Sequence, residues 1–95
     1  MPLYAIIGRD GPRGAELRAQ HRPAHLKKLE PLDAQGRIRF AGPLLDAVGQ
    51  PVGSVIVFEA ESLAAARALA ASDPYIAEGV FEHHEVFETR AVFPT

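Results

Sequence analysis

The sequence predicts an α+β fold in which four strands form one antiparallel sheet and two helices cover one of its faces. Three observations carry this prediction. Residues 3–8, 37–41, 53–60 and 80–93 have the apolar or alternating pattern of strands. Residues 13–34 and 63–71 are rich in helix formers and poor in β-branched and aromatic residues. The resulting order, β-α-β-β-α-β, consists of two β-α-β halves that share one sheet, which is a ferredoxin-like sandwich.

Each element has a local reason. Leu3 to Gly8 is an apolar run between Pro2 and the turn-forming Arg9-Asp10-Gly11-Pro12. In residues 13–34, Leu26, Leu29 and Leu32 recur at helical spacing and define the inward face. Pro23 and Pro31 interrupt that segment. Proline has no N–H, and its ring crowds the carbonyl four residues back. A break is therefore expected near residues 21–23, with Pro23 in the first turn of the main helix. A second irregularity is expected near Pro31, and Gly36 is a suitable stop. Arg37 to Ala41 alternates, which puts Ile38 and Phe40 on one face, and ends at Gly42-Pro43. Residues 44–52, with Gly49 and Pro51, are read as a loop. The run Val55-Ile56-Val57-Phe58 marks a central strand. Ser62 offers a capping oxygen to the next helix, which packs through Leu63, Ala66, Leu69 and Ala70. That helix stops ahead of Pro74, because the residue before a proline is turned out of helical geometry. Residues 80–93 form a last strand long enough to bend.

Composition narrows the function. A chain of 95 residues is expected to form one domain, spanning residues 1–95. Its 47% apolar and 23% charged residues give the balance of a soluble globular protein. The absence of cysteine excludes a disulfide framework and thiolate or zinc–thiolate chemistry. A net charge of −2 and a pI near 6.0 speak against a nucleic-acid partner, which calls for a basic stripe. No stretch reaches the ~20 apolar residues of a membrane span, and the N-terminus lacks the basic n-region of a signal peptide. No membrane partner and a cytoplasmic location are the expectation. A core this small is often completed by oligomerisation. Phe40, Ile56, Phe58 and Phe87 are apolar strand residues that two small helices would leave partly uncovered. A homodimer through the uncovered sheet face is therefore expected.

Two short motifs carry the chemistry. Arg22-Pro23-Ala24-His25-Leu26 sets a histidine at the edge of the apolar stripe, one turn from Leu29, with Arg22 projecting to the same side. Asp73-Pro74-Tyr75 sets a carboxylate where a helix ends, against the helix dipole, so that it needs a cation or an N–H donor nearby. Asp-Pro also begins ordinary turns, and a half-buried histidine is often satisfied by a backbone carbonyl. Brought together, His25 and Asp73 form the simplest unit for moving a proton near neutral pH. The carboxylate fixes the imidazole tautomer, and the second ring nitrogen acts as base or acid. Ser54, at the start of a strand, can donate to a substrate oxygen but lacks the context of a nucleophile elbow. Tyr75 and Pro43 are candidate wall residues, with packing and strand termination as their plainer roles. His21 and His25 have the spacing of a metal pair on a helix, but Arg22 and Pro23 intervene and no third ligand follows, so no metal is expected. His83 and His84, adjacent in a strand, point to opposite faces. Gly8, Gly11 and Gly14 do not form a nucleotide-binding fingerprint, and no cofactor is expected.

The chain resembles the YciI-like (YCII-related) family over nearly its whole length. The landmarks are Arg22-Pro23-Ala24-His25-Leu26, Gly36-Arg37, Ala41-Gly42-Pro43, Gly53-Ser54, Asp73-Pro74-Tyr75 and Gly79-Val80-Phe81-Glu82, in this order and spacing. The resemblance implies that two ferredoxin-like sheets pair face to face into a dimeric α/β barrel. It also implies a site centred on His25 and Asp73. Activity in that family, where inferred, concerns small molecules, including intermediates of aromatic degradation. The expected function is a cofactor-independent enzyme of lyase, isomerase or hydrolase-like type. His25 shuttles a proton, Asp73 orients it, and Arg22 or Ser54 holds a substrate oxygen. The alternative is a non-catalytic small-ligand-binding or structural dimeric domain in which the same pair only orders a pocket. A cofactor-free oxygenase is the third reading, because other dimeric α/β-barrel proteins use such a chamber.

Overall fold

A computed structural model describes residues 1–94. Along the chain lie β1 (Leu3–Asp10), α1 (Gly14–Ala34), β2 (Ile38–Leu45), β3 (Pro51–Glu59), α2 (Leu63–Ser72), a single-turn α3 (Pro74–Ala77) and β4 (Phe81–Thr89). The strands form one antiparallel sheet in the order β2-β3-β1-β4. This is the ferredoxin-like arrangement that the element order predicts. Among the described residues, no helix is long and apolar enough to cross a membrane.

The pleat sends alternate residues to opposite faces. Tyr4 and Ile6 of β1 lie opposite Phe58 and Ile56 of β3. These four pack with Leu29 of α1 and with Ala66 and Ala70 of α2 to make the main core. Each large apolar side chain buried there contributes about 1.5–3 kcal/mol. Both long helices therefore cover the same face. The other face carries Ala5, Ile7, Val55, Val57 and Phe87, which are the residues of opposite parity.

Phe40 joins that open face, 57% exposed, and Phe87 is 49% exposed. Ile56 and Phe58, expected beside them, instead point into the core. The misfit with simple alternation has a local cause in β2. Ile38 pairs with Phe58 but Phe40 pairs with Val57, a β-bulge at Arg39. One inserted residue shifts the alternation, so Ile38 and Phe40 face opposite sides rather than the same one.

α1 runs unbroken through Pro23 and Pro31, contrary to the expected break. Both prolines are exposed. With the prolines on the exposed side, the missing N–H groups fall where helix bonds lengthen most easily. His25, Leu29 and Leu32 hold the opposite side against the domain. The helix ends as expected at Gly36, whose φ is +69°. Gly36 N–H donates to Asp33 C=O and Arg37 N–H to Leu32 C=O, both at 2.9 Å, a Schellman pair that satisfies two of the last carbonyls.

Ser62 caps α2, accepting from Ala65 N–H at 3.0 Å. Asp73-Pro74 is more than a turn. Asp73 is the N-cap of α3 and Pro74 its first residue, where a missing N–H goes unnoticed. The expected loop over 44–52 is shorter, because β2 runs to Leu45 and β3 starts at Pro51. Asp46 closes that turn by accepting from Val48 N–H and Gln50 N–H. β4 ends at Thr89 rather than near 93, because Thr89 is already paired with Leu3, the first residue of β1.

Candidate active site

The helices do not fill the whole of the face they cover. Between α1 and the β2–β3 side of the sheet lies a cavity of about 240 Å³. Arg18, Arg22 and His25 of α1, Pro43 of β2, Ser54 of β3 and Tyr75 of α3 line it. Of the residues read from the sequence as catalytic or substrate-binding, His25, Arg22, Ser54, Tyr75 and Pro43 are in its wall, and Asp73 stands behind His25.

His25 and Asp73 meet although 48 positions separate them: Nδ1 lies 2.8 Å from Oδ1 and 3.0 Å from Oδ2. Asp73 is held there by its second task. Its Oδ1 also accepts Tyr75 N–H at 2.8 Å, as the cap of α3. The carboxylate that ends α2 therefore begins α3, and the N–H donors of the second helix offset its unfavourable position on the first. Both side chains are nearly sealed, with Asp73 4% and His25 8% exposed. A carboxylate can only accept, so in the neutral imidazole Nδ1 carries the proton and Nε2 the lone pair. Among the described residues Nε2 has no partner, and no buried side-chain nitrogen or oxygen lacks one. Nε2 is therefore open to the cavity.

Tyr75 fixes the plane of that imidazole. The two rings are stacked with centroids 3.8 Å apart and planes within 2°. Phe81 supports Tyr75 edge-on at 6.0 Å. Burial holds the Tyr75 phenol above its ordinary pKa of 10.0, against the opposing pull of Arg18 and Arg22. Arg22 is exposed on the cavity wall.

Arg18 is the cavity residue that the motifs do not reveal. Its Nε and Nη2 donate to the Asp10 carboxylate at 2.6 and 2.8 Å, and Nη2 also donates to Ser54 Oγ at 2.9 Å. Its guanidinium lies over the Tyr75 ring, 5.1 Å from the centroid. The signal was within reach, since Arg18, Arg22, His25 and Leu29 are spaced four, three and four apart, one stripe of a helix. His21 joins no ligand set; among the described residues no three metal-binding side chains converge. His83 pairs with Arg9 and His84 with Gly8, and so they lie on opposite faces as expected.

The chain matches the model of the YCII-related domain over residues 2–90. It is 42% identical to Protein YciI of Escherichia coli O6:H1, covering 96% of this chain and 99% of that one. Among solved structures it is similar to 5-chloro-2-hydroxyhydroquinone dehydrochlorinase (TftG) from Burkholderia phenoliruptrix, in complex with 2,5-dihydroxybenzoquinone. The TM-score is 0.83 at 32% identity, over 93% of each chain. A NIPSNAP family protein from Agrobacterium tumefaciens shares the fold alone, with a TM-score of 0.58 at 15% identity. With one domain model spanning almost the whole chain and a full-length relative at this identity, the chain belongs to the YCII-related family.

Proposed function

We propose that the cavity is the active site of a cofactor-independent enzyme that acts on small hydroxylated ring compounds by proton transfer through His25, as a lyase or isomerase, and that the chain works as a homodimer. The observation that carries this reading is the hydrogen bond from Nδ1 to Asp73, which leaves Nε2 free in the cavity. An imidazole held in this way presents an unprotonated nitrogen that can accept a proton from the ligand. Nε2 takes the proton of an acidic O–H or C–H. The electron pair left behind moves toward a carbonyl oxygen or expels an anionic leaving group. Asp73 balances the imidazolium, which then returns its proton. No electrons are gained or lost overall, so this chemistry needs no redox cofactor. The buried Ser54 and the more exposed Arg22 meet the developing negative charge on oxygen. Tyr75 and Pro43 shape the wall.

The size and the relatives support the substrate class. Pockets for drug-sized ligands span ~300–1,000 Å³, and this cavity of about 240 Å³ suits a single ring. TftG, similar at 32% identity, is a dehydrochlorinase of a chlorinated hydroxyhydroquinone. The homodimer rests on the open sheet face, where Ile7, Phe40 and Phe87 are all exposed.

The test follows chloride release and absorbance with 5-chloro-2-hydroxyhydroquinone and related hydroxylated rings. Wild type is expected to turn over at least one of them. His25→Gln is expected to lose about 10²–10⁴-fold in rate, the worth of general acid–base catalysis, while still binding 2,5-dihydroxybenzoquinone. Binding without turnover in wild type would assign a ligand-binding domain instead.

A further inference from the structure

We infer that Arg18 is a positioning residue: clamped by Asp10, it presets the Ser54 hydroxyl as a hydrogen-bond donor toward a carbonyl oxygen of the ligand. The inference rests on the reading of the cavity as a substrate site and names what one of its ends recognises.

A guanidinium has only donors, and a hydroxyl has one hydrogen and two lone pairs. Arg18 spends two N–H groups on Asp10 and one on Ser54 Oγ. A hydroxyl that accepts from a cation directs its own hydrogen elsewhere. Among the described residues Ser54 has no acceptor for that hydrogen, and Ser54 lines the cavity. Its O–H is therefore available to the ligand, and the guanidinium behind it strengthens it as a donor. Asp10 has two effects. The Arg18 and Asp10 side chains are only 11% and 8% exposed, so the ion pair is rigid and largely out of water. It also neutralises Arg18, which suits a neutral carbonyl rather than an anion at this end.

The clamp is built into the backbone. A Cβ at Gly14 would come within 2.5 Å of the Asp10 Cβ, so only glycine there lets Asp10 reach Arg18. The same guanidinium lies over Tyr75, which stacks on His25. With Nε2 as the acceptor and Ser54 as a donor, the cavity takes a ligand with an acidic hydrogen on one side and a carbonyl oxygen on the other. A hydroxyquinone has this pattern.

The experiment is a double-mutant cycle on the binding of 2,5-dihydroxybenzoquinone, read by absorbance titration. Ser54→Ala and Arg18→Lys are each expected to weaken binding about five- to tenfold, the worth of one hydrogen bond. The double variant is expected to be no weaker than either single one, because both act through the same hydroxyl. Ser54→Thr, which restores a hydroxyl, recovers binding. If Arg18→Lys fails to fold, Asp10→Asn takes its place in the cycle. Additive losses, or Ser54→Ala binding like wild type, would overturn the inference and leave the catalytic reading intact. The expected pattern without turnover of any substrate would sink the catalytic reading and leave this one standing. No binding by wild type would overturn both.

Discussion

Replacing Asp73 by asparagine separates the two tasks of its carboxylate. Asparagine and aspartate cap helices equally well, so the bond to Tyr75 N–H, 2.8 Å in the native chain, is retained. The retained Oδ1, 2.8 Å from His25 Nδ1, is shared with Tyr75 N–H, and the amide nitrogen takes the place of Oδ2, 3.0 Å from Nδ1, so that a protonated Nδ1 faces a second donor there. The imidazole escapes the clash by moving its proton to Nε2, which removes the lone pair from the cavity. A hydrogen bond to a charged group contributes about 1.5–3 kcal/mol and a neutral one about 0.5–1.5. The variant therefore loses about 1–1.5 kcal/mol, or about 4–12 °C in Tm for a domain of this size. Asp73→Ala removes the cap as well, a further loss of about 0.5–2 kcal/mol, and strands the Nδ1–H. Thermal melts should rank wild type above Asn and Asn above Ala. Nitrogen NMR of the imidazole should report the tautomer change, and turnover should fall about 10²–10⁴-fold in the asparagine variant. An asparagine variant that keeps the wild-type tautomer and the wild-type rate would show that Asp73 does nothing for His25, and the proton-transfer reading would go with it.

Three further outcomes are expected. Sedimentation should find a dimer at tens of micromolar, and Phe87→Asp, which charges the open face, should return a monomer; a wild-type monomer at that concentration removes the dimer proposal. Gly14→Ala, which drives a Cβ into Asp10, should lower both stability and quinone binding, whereas Gly36→Ala, at φ +69°, should cost about 1–2 kcal/mol of stability and leave binding alone; equal effects on binding would refute the clamp. Burial raises the pKa of both Tyr4 and Tyr75 above 10.0, with the Glu88 carboxylate adding to the effect at Tyr4. Their neutral phenols therefore stabilise the fold fully below the unfolded value of about 10, and that stability is lost as pH rises through the folded values. Phenolate absorbance with ordinary midpoints in the folded protein would contradict this.

Much of the fold is legible because its signals are local. Apolar runs, the Ser62 cap and the Gly36 stop each need only a few neighbouring residues. The bulge at Arg39 is different. It exists only in the register between β2 and β3, and nothing in residues 38–40 distinguishes it from plain alternation. The prolines of α1 mislead for another reason. The rule against them describes a helix on its own, and here packing through His25, Leu29 and Leu32 overrides it. His25 and Asp73 can each be picked out from their place on a helix, but their meeting depends on how α1 and α2 lie on the sheet. Arg18 shares the stripe of His25. A lone arginine on a helix usually faces water, and the reason this one does not is Asp10, on a different element.

β1 is the first strand of the domain, yet it lies in the interior of the sheet. Leu3 must wait for Glu59 on one side and Thr89 on the other. Only β2 and β3 can pair locally, as a hairpin. The pocket draws on α1, β3 and α3, and Tyr75 leans on Phe81 in the last strand. The wall around Tyr75 is therefore braced only once β4 has docked on β1. Without β4 the backbone edge of β1 would be bare and open to pairing with other chains. In this topology the strand that protects the sheet edge is also the one that steadies the pocket wall.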